Sequence, residues 1–226
     1  MSETMMLIVN DNKTDDDLNK RPKVDQEESR FFIPGVVNVF TNSSKTDSFS
    51  KATVSNCITI TGSDGNRAMF PSETRHVRVD TYTDGEIVGV VYALRKFNTT
   101  GIPTREVNIF TDSLHAMNRL KFYMYSMNGI YQDKFSANQF IGDAVADPKM
   151  DENILSLIRE RLKIQAPVNL YYVKSRTVDI TLARSKFYEI NKKNVSVSDI
   201  MNLIAINSYV DMQISLYSRC IGCYED

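Results

Sequence analysis

Apolar residues recur at two different periods along this 226-residue chain, and the switch between them orders the elements. From Phe31 the run FFIPGVVNVFT is rich in β-branched and aromatic residues. SSKTDSFS then reads as a polar turn, KATVSNCITIT as a second strand, and SDGN as a tight turn before a third extended run, NRAMFPSETRHVRV. Three strands joined by short polar connections predict an antiparallel meander. Between Asp84 and Asn98 the period becomes helical, with Ile87, Val90, Val91, Leu94 and Phe97 on one side. Thr83 or Asp84 is placed to cap that helix, and Gly101 with Pro103 to stop it. REVNIFTDS predicts a short buried strand, and SLHAMNRLKFYMYSM a helix that opens beside Asp112. After a polar stretch without clear period over 128–150, DENILSLIRERLKI predicts an amphipathic helix and PVNLYYVKS a strand. A helix over 179–192 follows, then a last one, SVSDIMNLIAINSYVDMQISLYS, capped by Ser196 or Ser198. The order βββ-α-β-α-α-β-α-α is that of an α/β fold, a mixed sheet flanked by helices.

Composition limits this picture to one domain with additions, since 226 residues at 42% hydrophobic content bury one core. Residues 11–30, DNKTDDDLNKRPKVDQEESR, hold too little apolar area to offset the entropy of ordering, so 1–30 reads as a flexible arm. The preceding MMLIVN is either a short docking strand or part of that arm. The domain then spans 31–192, and 193–226 is a C-terminal helical extension. Lys and Arg number 27 against 28 Asp and Glu, a net charge of -1, so no overall positive field attracts a polyanion and any nucleic-acid contact needs a local patch. Three cysteines are too few for a disulfide framework, which points to an intracellular, cytoplasmic protein. No run of eighteen apolar residues predicts a membrane span, and the start MSETMMLIVN lacks the basic region of a signal peptide. Cys220 and Cys223 form a CxxC pair, but zinc takes four ligands and the only histidines, His76 and His115, lie far away in sequence, so reduced thiols are the plain reading.

Chemistry concentrates in four pieces: VVNVFTNSS, DGEIVGVVYAL, VNIFTDSLHAMNRL and VNLYYVKSRTVDITLARSKFYEI. Asp112 follows a buried strand and opens a helix, a rigid position near solvent of the kind at which open α/β sheets bind ligands. Glu86, Asp112 and Asp179 come from three separate elements. If the sheet gathers them, a divalent cation would resolve their repulsion, since Mg²⁺ takes oxygen ligands from a few carboxylates and a metal pair supports in-line phosphoryl displacement. Plainer roles compete. Asp112 and Asp179 suit N-caps, and Glu86 suits a helix dipole. Asn42 suits a turn, or can offer a neutral oxygen to a metal, with Asp47 in the same turn as a substitute. His115 reads as an exposed helix residue rather than a base.

Over residues 35–192 these pieces resemble the ribonuclease H family. Asn42 stands where the family's first strand carries an Asp, Glu86 matches its helix glutamate, and Asp112 matches the aspartate of its Thr-Asp-Ser motif. Asp179 is the nearest match to the last metal-binding aspartate, and Ser175 and Arg176 stand where members with a loop histidine carry Gly-His. The resemblance implies a ribonuclease H-like mixed sheet, with three antiparallel strands and then parallel ones. It implies a metal-dependent endonuclease that holds Mg²⁺ or Mn²⁺ through Glu86, Asp112, Asp179 and the amide oxygen of Asn42 and cleaves the RNA strand of RNA–DNA hybrids. Arg75, Arg78, Lys121, Lys174 and Arg176 are the candidate nucleic-acid contacts; Lys121 beside Phe122, Tyr123 and Tyr125 suits a track of phosphates and bases, and ordinary surface charge explains the same residues. The other reading is a catalytically impaired ribonuclease H fold kept as a nucleic-acid or protein-binding module. Asn42, the missing loop histidine and the near-neutral charge favour it.

Overall fold

The computed structural model describes residues 29–45, 51–126 and 151–221. The arm over 1–28, Asp47, the stretch over 128–150 and Cys223 lie outside the described residues. Strand β1 (Val36–Lys45) pairs antiparallel with β2 (Lys51–Thr61), and β2 antiparallel with β3 (Arg67–Arg78). On its other side β1 runs parallel to β4 (Glu106–Thr111), which runs parallel to β5 (Val168–Tyr172), giving the order β3-β2-β1-β4-β5. The parallel connections need helical crossovers, and α1 (Tyr82–Thr100), α2 (Leu114–Ser126) and α3 (Glu152–Leu162) supply them. Their apolar sides pack on one sheet face with Val37, Val39, Ile58, Val107, Ile109, Val168 and Leu170. Helices α4 (Ile180–Asn191) and α5 (Val197–Ile221) cover the other. None of the described helices is long and apolar enough to cross a membrane.

A pattern inside the three parallel strands fixes their register. Val37-Asn38-Val39-Phe40, Val107-Asn108-Ile109-Phe110 and Val168-Asn169-Leu170-Tyr171 share one Val-Asn-aliphatic-aromatic sequence, and the three copies align residue for residue. Strand alternation sends the valines and aliphatics to one face and the asparagines and rings to the other. The amides form a ladder: Asn169 Nδ2 donates to Asn108 Oδ1 at 3.2 Å, and Asn108 Nδ2 to Asn38 Oδ1 at 3.3 Å. The rings stack beside them, Phe40 on Phe110 at 4.9 Å and Phe110 on Tyr171 at 5.5 Å. Burying each ring contributes roughly 2–3 kcal/mol, while a one-residue slip would break the ladder and turn the rings to the wrong face.

The last helix is a layer of the core. Ile200, Leu203, Ile204 and Val210 of α5 bury against Phe40, Cys57 and Phe110, so the segment expected as a C-terminal extension closes the second sheet face. Ser196 caps the helix, its Oγ accepting from Asp199 N at 3.0 Å. The buried Asp199 carboxylate accepts from Ser29 Oγ at 2.7 Å and Arg30 N at 2.9 Å, which ties the first described residues to this helix. Capping also corrects an expectation for α1. Thr81, rather than Thr83 or Asp84, is the N-cap, with Asp84 reciprocating in a capping box. Gly101, at φ 63° in the left-handed region, ends the helix.

Candidate carboxylate site

The site forms where β1 and β4 end. Asn42 and Asp112 each lie two residues beyond the paired Phe40 and Phe110, so alternation brings them to the same end of the sheet on the α5 face. Asp112 is free to act there because its neighbour caps α2: Ser113 Oγ accepts from Ala116 N at 3.2 Å. Glu86 arrives from α1, which approaches β1 closely through two glycines. A Cβ at Gly89 would lie 2.5 Å from Thr41 Oγ1, and one at Gly85 2.9 Å from Ser43 Oγ. That approach sets Glu86 Oε1 2.9 Å from both Ser43 N and Ser43 Oγ, while Thr111 Oγ1 donates to Oε2 at 3.3 Å.

The third carboxylate is one that the sequence reading did not single out. Asp211, midway along α5, faces Asn42 and accepts from its Nδ2 at 3.4 Å. The same amide nitrogen donates to Asp112 Oδ2 at 3.3 Å, and its Oδ1 accepts from Ser43 N at 2.7 Å. These partners fix the amide's orientation, because a flipped Asn42 would turn an oxygen toward two carboxylates. Arg176 reaches Asp211 through Nε at 2.5 Å, its own N–H donates to Ser208 Oγ at 2.9 Å, and Ser175 Oγ donates to Asp112 Oδ2 at 3.1 Å. Asn207 Nδ2 donates to Val173 O at 2.9 Å, so Asn207, Ser208 and Asp211 together hold the β5–α4 loop. The available signal was this polar trio, Asn207, Ser208 and Asp211, spaced to share one side of the helix.

Asp179 is not brought to this cluster. It is the exposed N-cap of α4, accepting from Leu182 N at 2.9 Å. The five candidate nucleic-acid contacts are also dispersed. Arg75 and Arg78 lie on β3, one edge of the sheet, where Arg75 pairs with Glu73 and lies 4.4 Å over the Tyr92 ring. Lys121 is half-buried on α2, and Lys174 and Arg176 are exposed in the loop after β5, at the opposite edge.

Electrostatics at Glu86 and Asp112 follow first from burial, with the one cation of the cluster, Arg176, paired to Asp211. Burial, and then the charge of Asp112, push Glu86 up to about 8 against the hydrogen bonds from Ser43 and Thr111. Glu86 therefore carries a proton at neutral pH. Burial also raises Asp112, aided by Asp211 and opposed by the hydrogen bonds from Ser175 and Asn42. A proton on Glu86, the Asn42 amide and the Arg176 guanidinium together resolve the like-charge repulsion. This donor set does not fit a divalent ion. The amide presents hydrogens rather than oxygen to Asp112 and Asp211, and both oxygens of Glu86 already accept protein donors. Among the described residues no group of three or more His, Cys, Asp or Glu side chains is arranged to hold a metal.

The chain matches no protein-family model and no curated protein. Among solved structures it is similar to LC11 RNase H1 in complex with an RNA/DNA hybrid, at 14% identity and a TM-score of 0.40 over 69% of this chain and 91% of that one. It is also similar to the N-terminal RNase H domain of a Mycobacterium tuberculosis protein fused to maltose binding protein, at 12% identity and a TM-score of 0.39 over 76% and 98% of the two chains. The strand order, with one antiparallel half and one parallel half, and the helices on both faces make a mixed-sheet α/β fold, the arrangement that the resemblance in the sequence implies.

Proposed function

We propose that this chain is a nucleic-acid-binding module built on a nuclease-type fold, with a carboxylate site closed by its own donors. One observation carries the reading: the Asn42 amide donates to Asp112 and Asp211 at once and so bridges the two acids. Lys174, exposed beside the site and without a carboxylate partner among the described residues, supports a phosphate contact there. The test uses the full chain and a labelled RNA–DNA hybrid, followed by fluorescence anisotropy in EDTA and again in Mg²⁺ or Mn²⁺. Binding should be the same in both, the hybrid should stay intact, and Lys174→Ala should weaken binding and flatten its salt dependence.

A second reading, a metal-dependent hydrolase of the RNA strand, draws support from the gathering of Glu86, Asp112 and Asp211 at one sheet end. It requires Asn42 to turn its oxygen inward and Arg176 to leave Asp211. Metal-dependent cleavage that disappears in Asp112→Asn would establish the hydrolase and overturn the closed-site reading.

A further inference from the structure

We infer that the cleft between the β5–α4 loop, α4 and α5 binds an organic anion with an apolar body, a site separate from the carboxylates that shares Lys174 with the nucleic-acid reading. The cleft encloses about 300 Å³, at the small end of the range for small-molecule sites. Its floor is apolar: Val173, Phe187, Ile200 and Ile204 line it and are buried. Its mouth is apolar too, yet open to water. Val178 is 94% exposed and Leu182 47% exposed, so an apolar body seated in the cleft would remove both from solvent.

The charged groups around this cavity are mostly positive. Lys174, Arg176 and Lys186 line it. Neither lysine has a carboxylate partner among the described residues, and both are exposed at the opening. Asp179 is the single lining acid, and its carboxylate is engaged by Leu182 N at 2.9 Å as the helix cap. Arg176 holds a left-handed backbone conformation, φ 54°, while its N–H donates to Ser208 at 2.9 Å, which pins the loop that forms this wall. A bare inorganic anion would gain little from exposed lysines screened by salt. A neutral apolar molecule would leave the cations unused. The chemistry that satisfies both halves is an amphiphile with a carboxylate, sulfonate or phosphate head.

Fluorescence titration of the full chain with 8-anilinonaphthalene-1-sulfonate tests this, beside the uncharged N-phenyl-1-naphthylamine and inorganic phosphate. We expect saturable binding of one sulfonate probe per chain, with the uncharged analogue at least tenfold weaker and phosphate a poor competitor. Lys174→Gln combined with Lys186→Gln should weaken the sulfonate probe at least tenfold while leaving the thermal midpoint in place, since both side chains are exposed. Ala183→Phe, which fills the cleft from α4, should abolish binding of the probe. Equal affinity for charged and uncharged probes, an unchanged affinity in the double variant, or full displacement by phosphate would each overturn the proposal. Lys186→Gln alone should weaken the sulfonate probe and leave hybrid binding in place, because only Lys174 serves both events; loss of probe binding with hybrid binding intact, or the reverse, therefore separates the two readings.

Discussion

Glu86 and Glu160 are each 5% exposed, yet their surroundings drive them in opposite directions. Glu160, near the end of α3, joins that helix to α1. Burial raises its pKa, but hydrogen bonds from Asn98, Lys163 and Arg95 outweigh the burial and hold it below the usual glutamate range. Asn98 Nδ2 donates to it at 3.0 Å, Lys163 Nζ at 3.0 Å and Arg95 Nε at 3.2 Å. Glu86 lies deeper in the protein, with neutral hydroxyl and amide donors and a second carboxylate in place of a cation, so it is pushed up to about 8. A joint in the scaffold neutralises its charge locally. The sheet end leaves charge to be settled by a proton, an amide and one arginine, the kind of perturbation that marks functional positions.

The largest expected effect breaks that contrast directly. The folded chain binds a proton on Glu86 more tightly than the unfolded chain does, so its stability contribution is complete below the ordinary glutamate value and is lost as pH rises through about 8. Glu86→Gln should therefore flatten the alkaline decline, leaving the variant more stable than wild type at pH 9 by about 4 kcal/mol. Urea denaturation at pH 6 and pH 9 measures this, and parallel declines in the two proteins would contradict it.

Asn42→Asp sharpens the comparison by removing the donor shared by Asp112 and Asp211 and adding a third like charge. In EDTA the variant should lose about 2–3 kcal/mol. Mg²⁺ should restore its thermal midpoint while leaving that of wild type unmoved. A wild-type midpoint that rises with Mg²⁺ to the same extent would show that the native donor set already accepts the ion.

Glu160→Gln should cost about 1–2 kcal/mol at neutral pH through weakened charge-assisted hydrogen bonds. The sign of its pH dependence is opposite to that of Glu86. A lowered folded pKa supplies stability above the unfolded value, and that stability disappears on acidification through the folded value. Denaturation at pH 7 and pH 3 should show the gap between variant and wild type closing at the lower pH. The smallest effect belongs to Asp179→Ala, a lost helix cap worth about 1 kcal/mol. Hybrid binding should not change, because that carboxylate serves α4 and not the sheet end; a large binding defect would return Asp179 to the site.

The sequence determined whatever local periodicity and capping chemistry control. Strand and helix order could be read because alternation and the 3.6-residue period are set over a few residues. Glu86 and Asp112 stood out because a Gly-rich helix start and a strand followed by Thr-Asp-Ser are local features. Ser113 could be placed as a cap only from geometry, and that placement leaves Asp112 available to the site. The Val-Asn-aliphatic-aromatic run in three strands lay in plain view, but its meaning came only with the register that stacks the copies.

Only the tertiary structure chose the remaining partners. Asp211 meets Asn42 across 169 positions of sequence because α5 must cover the sheet face that carries Phe40, Cys57 and Phe110. That burial, rather than any motif, decides which helix carries the third acid. It also leaves Asp179 at a helix start, where its carboxylate satisfies a backbone N–H. The orientation of Asn42, which turns hydrogens toward two acids, is likewise a product of neighbours from distant elements. A side chain's chemical type is local, but the charge it faces is set by whatever the folded sheet and its covering helix bring within hydrogen-bonding distance.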